Sequence, residues 1–277
     1  MRINLDHTIN SGQVFLWQKL ENTWYGVNGL DVFAVDESNP SRIRAYGDSE
    51  YDLFRQGDHF EKIIKEISKD QVLRDAAKRF PGLRLMRQDP FQCFITFIVS
   101  SNSSIQNIRL ALQRLSKKFG KKVSFEGDEF HLFPEPKKIA DAPKSELLSC
   151  GLGYRAEFVK SAAKLVKEKM IDFESLKKAD YHAARDSLLS VHGIGNKVAD
   201  CILLFSLEKL ESFPLDRWII RSLEEYYPQE FSLGGKTLTD KKYKAMHEKI
   251  VERFGPHTGY CQQFLFKMIR ESNKKNW

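Results

Sequence analysis

The stretch VHGIGNKVADCILLF, residues 191–205, contains the turn and the second helix of a predicted helix–turn–helix unit. Apolar residues at helical spacing precede it, Gly193 and Gly195 form the turn, and a new apolar run follows. Glycine tolerates positive φ and leaves no side chain between the backbone and an approaching group. The unpaired N–H groups and the dipole of the second helix therefore predict a phosphate site. A plain helical turn with glycine caps is the alternative.

Lys197 lies in the first turn of this second helix, which is an unusual place for a cation. The positive end of the helix dipole disfavours an ammonium there and favours the neutral, nucleophilic amine. Asp216 follows in FPLDRWIIRSL, where it precedes an apolar helix and suits the N-cap. The intervening chain is long enough to fold back, so the amine and the carboxylate are predicted to face one cleft. A solvated lysine and a purely structural cap are the alternatives.

The charge of the chain favours a polyanionic partner. The formal net charge is +7, and lysines are concentrated in segments such as KKFGKK at 117–122. Lysines that neutralise phosphates release counterions, so a basic balance is typical of proteins that bind nucleic acid. A solvated lysine face that binds nothing is the alternative.

Several classes of protein are disfavoured. No apolar run approaches the roughly 20 residues of a membrane span, and the first 20 residues lack the apolar core of a signal peptide. We therefore expect an intracellular protein, in the cytoplasm and nucleoid, or in the nucleus of a eukaryote. No Cys-x-x-Cys pair occurs, so a structural zinc or iron–sulfur cluster is not expected and the thiols should be reduced and buried.

The predicted fold class is α+β. Between Gly12 and Tyr46 the runs QVFLWQ, TWYGV, DVFAV and RIRAY alternate with turn segments, and Asn28-Gly29 is a strong hairpin signal. Residues 1–85 are therefore predicted to form a β-rich (α+β) domain with an antiparallel sheet.

Residues 86–277 are predicted to form two nearly all-helical subdomains. Asp89 and Pro90 suit the start of a buried central helix in FQCFITFIVSS. Further helices are predicted at 105–119, 156–169, 182–190, 197–207, 217–226, 241–254 and 260–271. The hairpin occupies 182–207, and a C-terminal helix at 260–272 closes the candidate site.

Several motifs in a fixed order extend this interpretation along almost the whole chain. They are SGQVFLW at 11–17, GLRLMRQDPFQCFITFIVSSN at 82–102, GLGYRAEFV at 151–159, GIGNKVADCILLF at 193–205, PLD at 214–216 and FGPHTGYCQQFLF at 254–266. This order resembles the helix–hairpin–helix glycosylases that carry a Gly/Pro-rich loop and an aspartate. The similarity is greatest to the 8-oxoguanine DNA glycosylases of the eukaryotic type.

The resemblance implies a bifunctional enzyme that needs no cofactor. Lys197 would attack C1′ of a flipped nucleotide, displace the damaged base and form a Schiff base, and β-elimination would then nick the strand. Asp216 would stabilise the cationic sugar and assist proton transfer. The implied partner is double-stranded DNA containing 8-oxoguanine, and a monomer with no membrane attachment would suffice.

The resemblance also implies the residues that hold the base and the DNA. The carbonyl of Gly12 would accept the N7–H that distinguishes 8-oxoguanine from guanine, Gln262 would bind the Watson–Crick edge, and Cys201 and Phe266 would sandwich the ring. Other implied contacts come from residues that fill the vacated stack or reach the orphaned cytosine, namely Asn102, Tyr154 and Arg155. The backbone carbonyls of Leu189, Val191 and Ile194 would hold a structural monovalent cation.

Two positions depart from the family pattern. Asn107 stands where the eukaryotic enzymes have a second arginine that reads the opposite cytosine, and Trp218 replaces a phosphate-binding histidine. A relaxed preference for the opposite base is therefore expected. Two alternative functions stay open, namely a glycosylase for another oxidised or alkylated base and a non-catalytic module that binds DNA through the hairpin.

Overall fold

The N-terminal part is built on a four-stranded antiparallel sheet. The structure is a computed structural model, and it describes residues 2–48, 50–235 and 237–273. After α1 (Leu5–Ile9), the strands are β1 (Trp17–Leu20), β2 (Thr23–Asn28), β3 (Asp31–Asp36) and β4 (Ile43–Tyr46), in the order β1-β2-β3-β4. The predicted meander is therefore confirmed.

Two details of the sheet differ from the prediction. Asn28 is the last residue of β2 rather than a turn residue, because it pairs with Asp31 of β3. Its side-chain oxygen accepts the backbone N–H of Asp89 at 2.7 Å. Gly29, with φ of 64°, opens the turn. The first strand begins at Trp17, since Gln13 is buried and its side chain binds backbone groups of Arg84 and Met86 instead of a neighbouring strand.

A buried helix lies at the centre of the larger part. The chain passes through α2 (Phe60–Ile67) and α3 (Gln71–Arg79) to α4 (Pro90–Val99). Asp89 caps α4 by accepting the N–H of Gln92 at 2.7 Å, and Pro90 occupies the first turn as predicted. Nearly every side chain of α4 is buried, so this helix supplies a rigid wall for what packs around it.

The remaining elements confirm most of the predicted helices. They are α5 (Ile105–Phe119), β5 (Lys122–Phe125), β6 (Asp128–His131), α6 (Pro136–Ala140), α7 (Lys144–Ser149), α8 (Arg155–Lys167), α9 (Phe173–Lys178), α10 (Tyr181–Leu189), α11 (Asn196–Ser206), α12 (Arg217–Tyr226), α13 (Asp240–Phe254) and α14 (Thr258–Ser272). The β5–β6 hairpin was not predicted, so this part is less purely helical than the sequence indicated.

The main hydrophobic core joins the sheet to the helices. It contains Tyr25 and Val32 from the sheet together with side chains of α4 and α11, while a smaller core packs α1 against the other face of the sheet. Helix α11 packs against α4, and α12 packs against α14. These two contacts bring the starts of α11 and α12 to one place. No helix in the described parts of the chain is long and apolar enough to cross a membrane.

Candidate active site

The hairpin joins α10 to α11, and its two glycines have different roles. Gly193 has φ of 93°, and a Cβ there would lie 2.6 Å from the ring of Phe158. Gly195 is the N-cap of α11 with φ of −99°, which any residue can adopt, and nothing lies within 4 Å of a Cβ placed there. The expectation of positive φ therefore holds for Gly193 alone, while Gly195 leaves open the approach to the helix N-terminus.

Lys197 projects from the first turn of α11 toward the end of α4. Its Nζ lies 3.4 Å from Oγ of Ser100 and 5.2 Å from the centroid of the Phe97 ring. The side chain is partly buried, so the amine is held against an apolar wall with one side open to the cavity described next.

Asp216 is the N-cap of α12, as predicted. Its Oδ1 accepts the N–H of Ile219 at 2.8 Å. Burial raises the pKa of the Asp216 carboxyl above its usual value, and the nearby charge of Lys197 opposes that rise. The Asp216 carboxyl thus caps α12 with one oxygen and also interacts electrostatically with the amine of Lys197.

A cavity of about 560 Å³ collects these groups. It is lined by Lys197 and Asp216, and by Gly12, Asn102 and Phe266 from distant parts of the chain. The starts of α5, α11 and α12 all border it. Because a helix N-terminus carries unpaired donors and partial positive charge, the cavity favours anionic groups such as phosphates.

The four residues implied for the base lie at and behind one wall of the cavity. A Cβ added to Gly12, where φ is 82°, would lie 2.8 Å from the ring of Phe266. Cys201 and Gln262 are buried and do not line the cavity. Burial raises the pKa of Cys201 to about 12, so it is a neutral thiol. Gln262 Oε1 is buried without a hydrogen-bond partner in the described residues. In this conformation Phe266 packs directly on Gly12, so the approach to Gly12 is closed.

Asn102, Tyr154 and Arg155 lie together at the rim. Asn102 Nδ2 donates to the Tyr154 hydroxyl at 3.5 Å, and Arg155 Nη1 donates to the carbonyl of Ser101 at 3.2 Å. Tyr154 is 58% exposed, which is unusual for so large a ring. The sequence predicted contact with DNA for all three, and the structure brings them to one edge.

An aromatic row connects this rim to the hairpin. The Tyr154 ring meets the Phe158 ring edge-on at 5.9 Å, and Phe158 meets the His192 ring at 4.8 Å. Phe158 also fills the space left free at Gly193. The rim at Tyr154 and the hairpin at His192 are therefore packed together through Phe158.

Other predicted residues lie outside the cavity. Asn107 is exposed in the first turn of α5, where its backbone N–H binds Oγ of Ser104 at 3.2 Å. Among the three hairpin carbonyls, that of Val191 accepts the N–H of Ile194 at 3.0 Å, which leaves it one further lone pair. The described residues contain no cluster of three or more His, Cys, Asp or Glu side chains suited to a metal, and all four cysteines are buried free thiols.

Ser100 and Arg270 are among the cavity residues that were missed at the level of sequence. Ser100 contacts Lys197, and Arg270 lines the cavity one turn beyond Phe266 on α14. The spacing of Phe266 and Arg270 places both on one helical face, which was a usable signal. The approach of the Gly12 loop to that face was not visible in the sequence.

A helical hairpin with a lysine at its open end, beside a capping aspartate, defines a helix–hairpin–helix protein. A family model described as HhH-GPD superfamily base excision DNA repair protein matches residues 95–256. The model of the 8-oxoguanine DNA glycosylase N-terminal domain matches residues 1–94. The chain belongs to the HhH-GPD superfamily of base excision DNA repair proteins.

Relatives match most or nearly all of the chain. A probable N-glycosylase/DNA lyase of Methanothermobacter thermautotrophicus is 33% identical, over 97% of this chain and 94% of the relative. N-glycosylase/DNA lyase OGG1 of Arabidopsis thaliana is 31% identical, over 72% of this chain and 55% of its own length. The crystal structure of the Clostridium acetobutylicum 8-oxoguanine glycosylase/lyase with DNA containing cytosine opposite 8-oxoguanine superposes with a TM-score of 0.88 and 28% identity, covering 98% and 93% of the two chains.

Proposed function

We propose that the protein is a bifunctional DNA glycosylase/lyase that removes 8-oxoguanine from double-stranded DNA and then nicks the strand. The observation that carries the proposal is the shared cavity of Lys197 and Asp216 at the open end of the hairpin. The match to the 8-oxoguanine glycosylase N-terminal domain and the names of the relatives support the choice of substrate. Such an enzyme acts where the chromosome lies, in the nucleoid of a prokaryote or in the nucleus of a eukaryote.

The two residues divide the chemistry. Lys197 Nζ attacks C1′ of the flipped nucleotide, and the electron pair of the C1′–N9 bond leaves with the base. The Asp216 carboxylate stabilises the positive charge that develops on the sugar. In the covalent lysine adduct the C1′–O4′ bond then breaks, O4′ takes up a proton and the opened sugar is held as a Schiff base. Loss of the C2′ proton forms a C2′–C3′ double bond and expels the 3′ phosphate.

A flat oxidised purine would bind in a slot between Phe266 and Cys201, next to the cavity. The Phe266 ring supplies one stacking face, and Cys201 supplies a neutral, polarisable surface for the other. The unpartnered Oε1 of Gln262 offers a buried acceptor for the amino and imino donors of a guanine edge. In the closed conformation Phe266 packs on Gly12, so the ring must move before a base can enter.

The rim would hold the distorted duplex. Base flipping costs a few kcal/mol and leaves a gap in the stack. Asn102 would enter this gap, and the exposed Tyr154 ring beside it would wedge into the neighbouring base step. Arg155 would contact the orphaned base. The open N-terminus of α11 at Gly195 would bind a phosphate of the same strand.

A monovalent cation at the hairpin is part of the proposal. Carbonyl oxygens are hard donors suited to such an ion, and the Val191 carbonyl keeps one lone pair after its bond to Ile194. The carbonyls of Leu189, Val191 and Ile194 would together hold a cation that adds positive charge beside the phosphate. Its contribution would be to DNA binding, with the sugar chemistry left to Lys197 and Asp216.

The substrate is tested on duplexes that carry one 8-oxoguanine opposite each of the four bases, with guanine at the same site as the control. We expect nicking at 8-oxoguanine and none at guanine. Nicking opposite cytosine should exceed that opposite the other bases only modestly, because the exposed amide of Asn107 contacts fewer acceptors than an arginine.

The variant Asn107→Arg is expected to sharpen the preference for cytosine by about 10-fold, since one good base contact is worth roughly 1–3 kcal/mol. An unchanged ratio in that variant would show that residue 107 does not reach the opposite base. No nicking with any opposite base, despite binding, would leave another damaged base or a purely binding role as the function.

The hairpin glycines give a matched pair of variants. Gly195→Ala is expected to fold normally, because φ of −99° suits alanine, but to bind duplex DNA about 10-fold more weakly, because its methyl group occupies the phosphate site. Gly193→Ala is expected to lower the unfolding temperature, because φ is 93° and the methyl group meets Phe158. Fluorescence anisotropy and thermal unfolding on both variants distinguish the two roles. Unchanged DNA affinity in Gly195→Ala would contradict a phosphate site at α11.

A further inference from the structure

Arg270 is a charged residue that lines the cavity and that the chemistry above does not use. It lies on α14 one turn after Phe266, and its guanidinium carbon is 5.4 Å from the centroid of that ring. Its Nη1 lies 3.2 Å from the position of a Cβ added to Gly12. The guanidinium is therefore held at the Gly12 edge of the slot.

Arg270 combines burial with charged neighbours of both signs. The side chain is mostly buried, and burial lowers the pKa of its guanidinium. Asp216 and Glu271 favour the charged form, while Arg109, which lines a neighbouring cavity, opposes it. On the cavity side the other charged groups are Lys197 and Arg217.

We propose that the guanidinium of Arg270 binds the C8 carbonyl of the flipped base and stabilises the negative charge that the base carries as it leaves. This inference rests on the proposed function, because the base must be an oxidised purine. With N7–H directed at the Gly12 carbonyl, the adjacent C8 carbonyl lies on the same edge, beside the Arg270 donors. Guanine has C8–H at that point and offers the guanidinium no acceptor.

The positive charge of Arg270 would contribute to catalysis because electrons move onto the base as it leaves. As Lys197 Nζ bonds to C1′, the C1′–N9 bond breaks and its electron pair stays on the base. In 8-oxoguanine this pair is delocalised from N9 onto the C8 oxygen. A fixed cation at that oxygen is bound more strongly in the transition state than in the ground state, so it accelerates departure of the base. The base then takes up the proton released from the new C1′–N bond.

The experiment compares two reactions of the enzyme, one on a nucleotide that carries 8-oxoguanine and one on a nucleotide that has already lost its base. Single-turnover release of 8-oxoguanine is measured beside nicking at a preformed abasic site in the same duplex. In Arg270→Gln we expect base release to slow by about 10-fold to 100-fold, as for the loss of one hydrogen bond to a charged group. Nicking at the abasic site should change by less than about 3-fold, because no base leaves there.

Two further variants sharpen the result. Arg270→Lys keeps the charge but not the planar fork, so its base release should lie between those of wild type and Arg270→Gln. Arg74→Gln removes the same charge from the exposed face of α3, away from both cavities, and should leave the ratio of the two reactions unchanged. Thermal unfolding of each variant confirms that it is folded, and Arg270→Lys serves as the test if Arg270→Gln is not.

Equal slowing of both reactions would overturn the inference and show that Arg270 acts through Asp216 or Lys197. Unchanged base release in Arg270→Gln would overturn it as well. A wild-type enzyme that nicks abasic sites but releases no 8-oxoguanine would instead overturn the proposed substrate. The failures of the two proposals are thus distinguishable.

Discussion

Replacement of Lys197 by glutamine is expected to abolish both strand nicking at 8-oxoguanine and covalent trapping by borohydride. Glutamine reaches into the same part of the cavity but has no basic amine, so neither the bond to C1′ nor the Schiff base can form. Loss of a nucleophile in other enzymes slows turnover by a factor of 10⁴ or more, and we expect a loss of at least roughly 10³ here. Borohydride reduces the Schiff base to a stable adduct, which is resolved from free protein by denaturing electrophoresis.

The control for this variant removes the same charge elsewhere. Lys65 is exposed on α2, far along the chain from the hairpin, and Lys65→Gln should nick and be trapped as the wild type is. Lys197 contacts Ser100 at 3.4 Å, lies over the Phe97 ring and interacts with Cys201. The amide of glutamine can replace part of these contacts, so we expect Lys197→Gln to stay folded and to bind DNA, which thermal unfolding and fluorescence anisotropy check. A trapped adduct in Lys197→Gln would place the nucleophile on another residue.

Replacement of Asp216 by asparagine is expected to slow base release by about 10²-fold to 10³-fold while the protein stays folded. The loss is that expected for one preorganised group facing a developing charge. Asparagine is as good an N-cap as aspartate, so the bond to the Ile219 N–H can be kept and α12 should be unaffected. Asp216→Ala loses the cap as well and should unfold more readily by about 1 kcal/mol.

The pH profile gives an independent reading of Asp216. Burial raises the pKa of its carboxyl, so the protonated form persists to higher pH than for an ordinary aspartate. Because the ionised form stabilises the sugar cation, base release by the wild type should fall on acidification, beginning above the usual aspartate range near pH 3.9. In Asp216→Asn this acidic limb should disappear. A limb that survives in the variant would assign the titration to another group.

The sequence predicted the elements whose ends are marked by polar caps. Helix α5 begins after Ser104 and α12 after Asp216, and both helices have the predicted bounds because each cap accepts a backbone N–H of the first turn. The β5–β6 hairpin escaped prediction because its strands have four residues each and one buried side chain each, Val123 and Phe130. So short a segment has too little periodicity to identify.

Only the part of the candidate site that is formed by local motifs was predicted. Lys197 and Asp216 belong to local motifs, so their neighbourhood could be inferred from a helix start and a cap. Arg270 belongs to no motif, and its place in the cavity depends on the meeting of α14 with the loop at Gly12. A contact between segments so distant in sequence is set by packing of the whole core, which no local pattern reveals.

The row of rings from Tyr154 through Phe158 to His192 has a mechanical consequence. Since Phe158 fills the space at Gly193, neither the wedge nor the hairpin can shift without disturbing the other. If Tyr154 wedges the base stack and the hairpin binds the backbone, as we propose, the packing of these rings fixes the distance between the two DNA contacts. A duplex that kinks easily at a damaged step would then match this distance at a lower deformation cost than stiff, intact DNA.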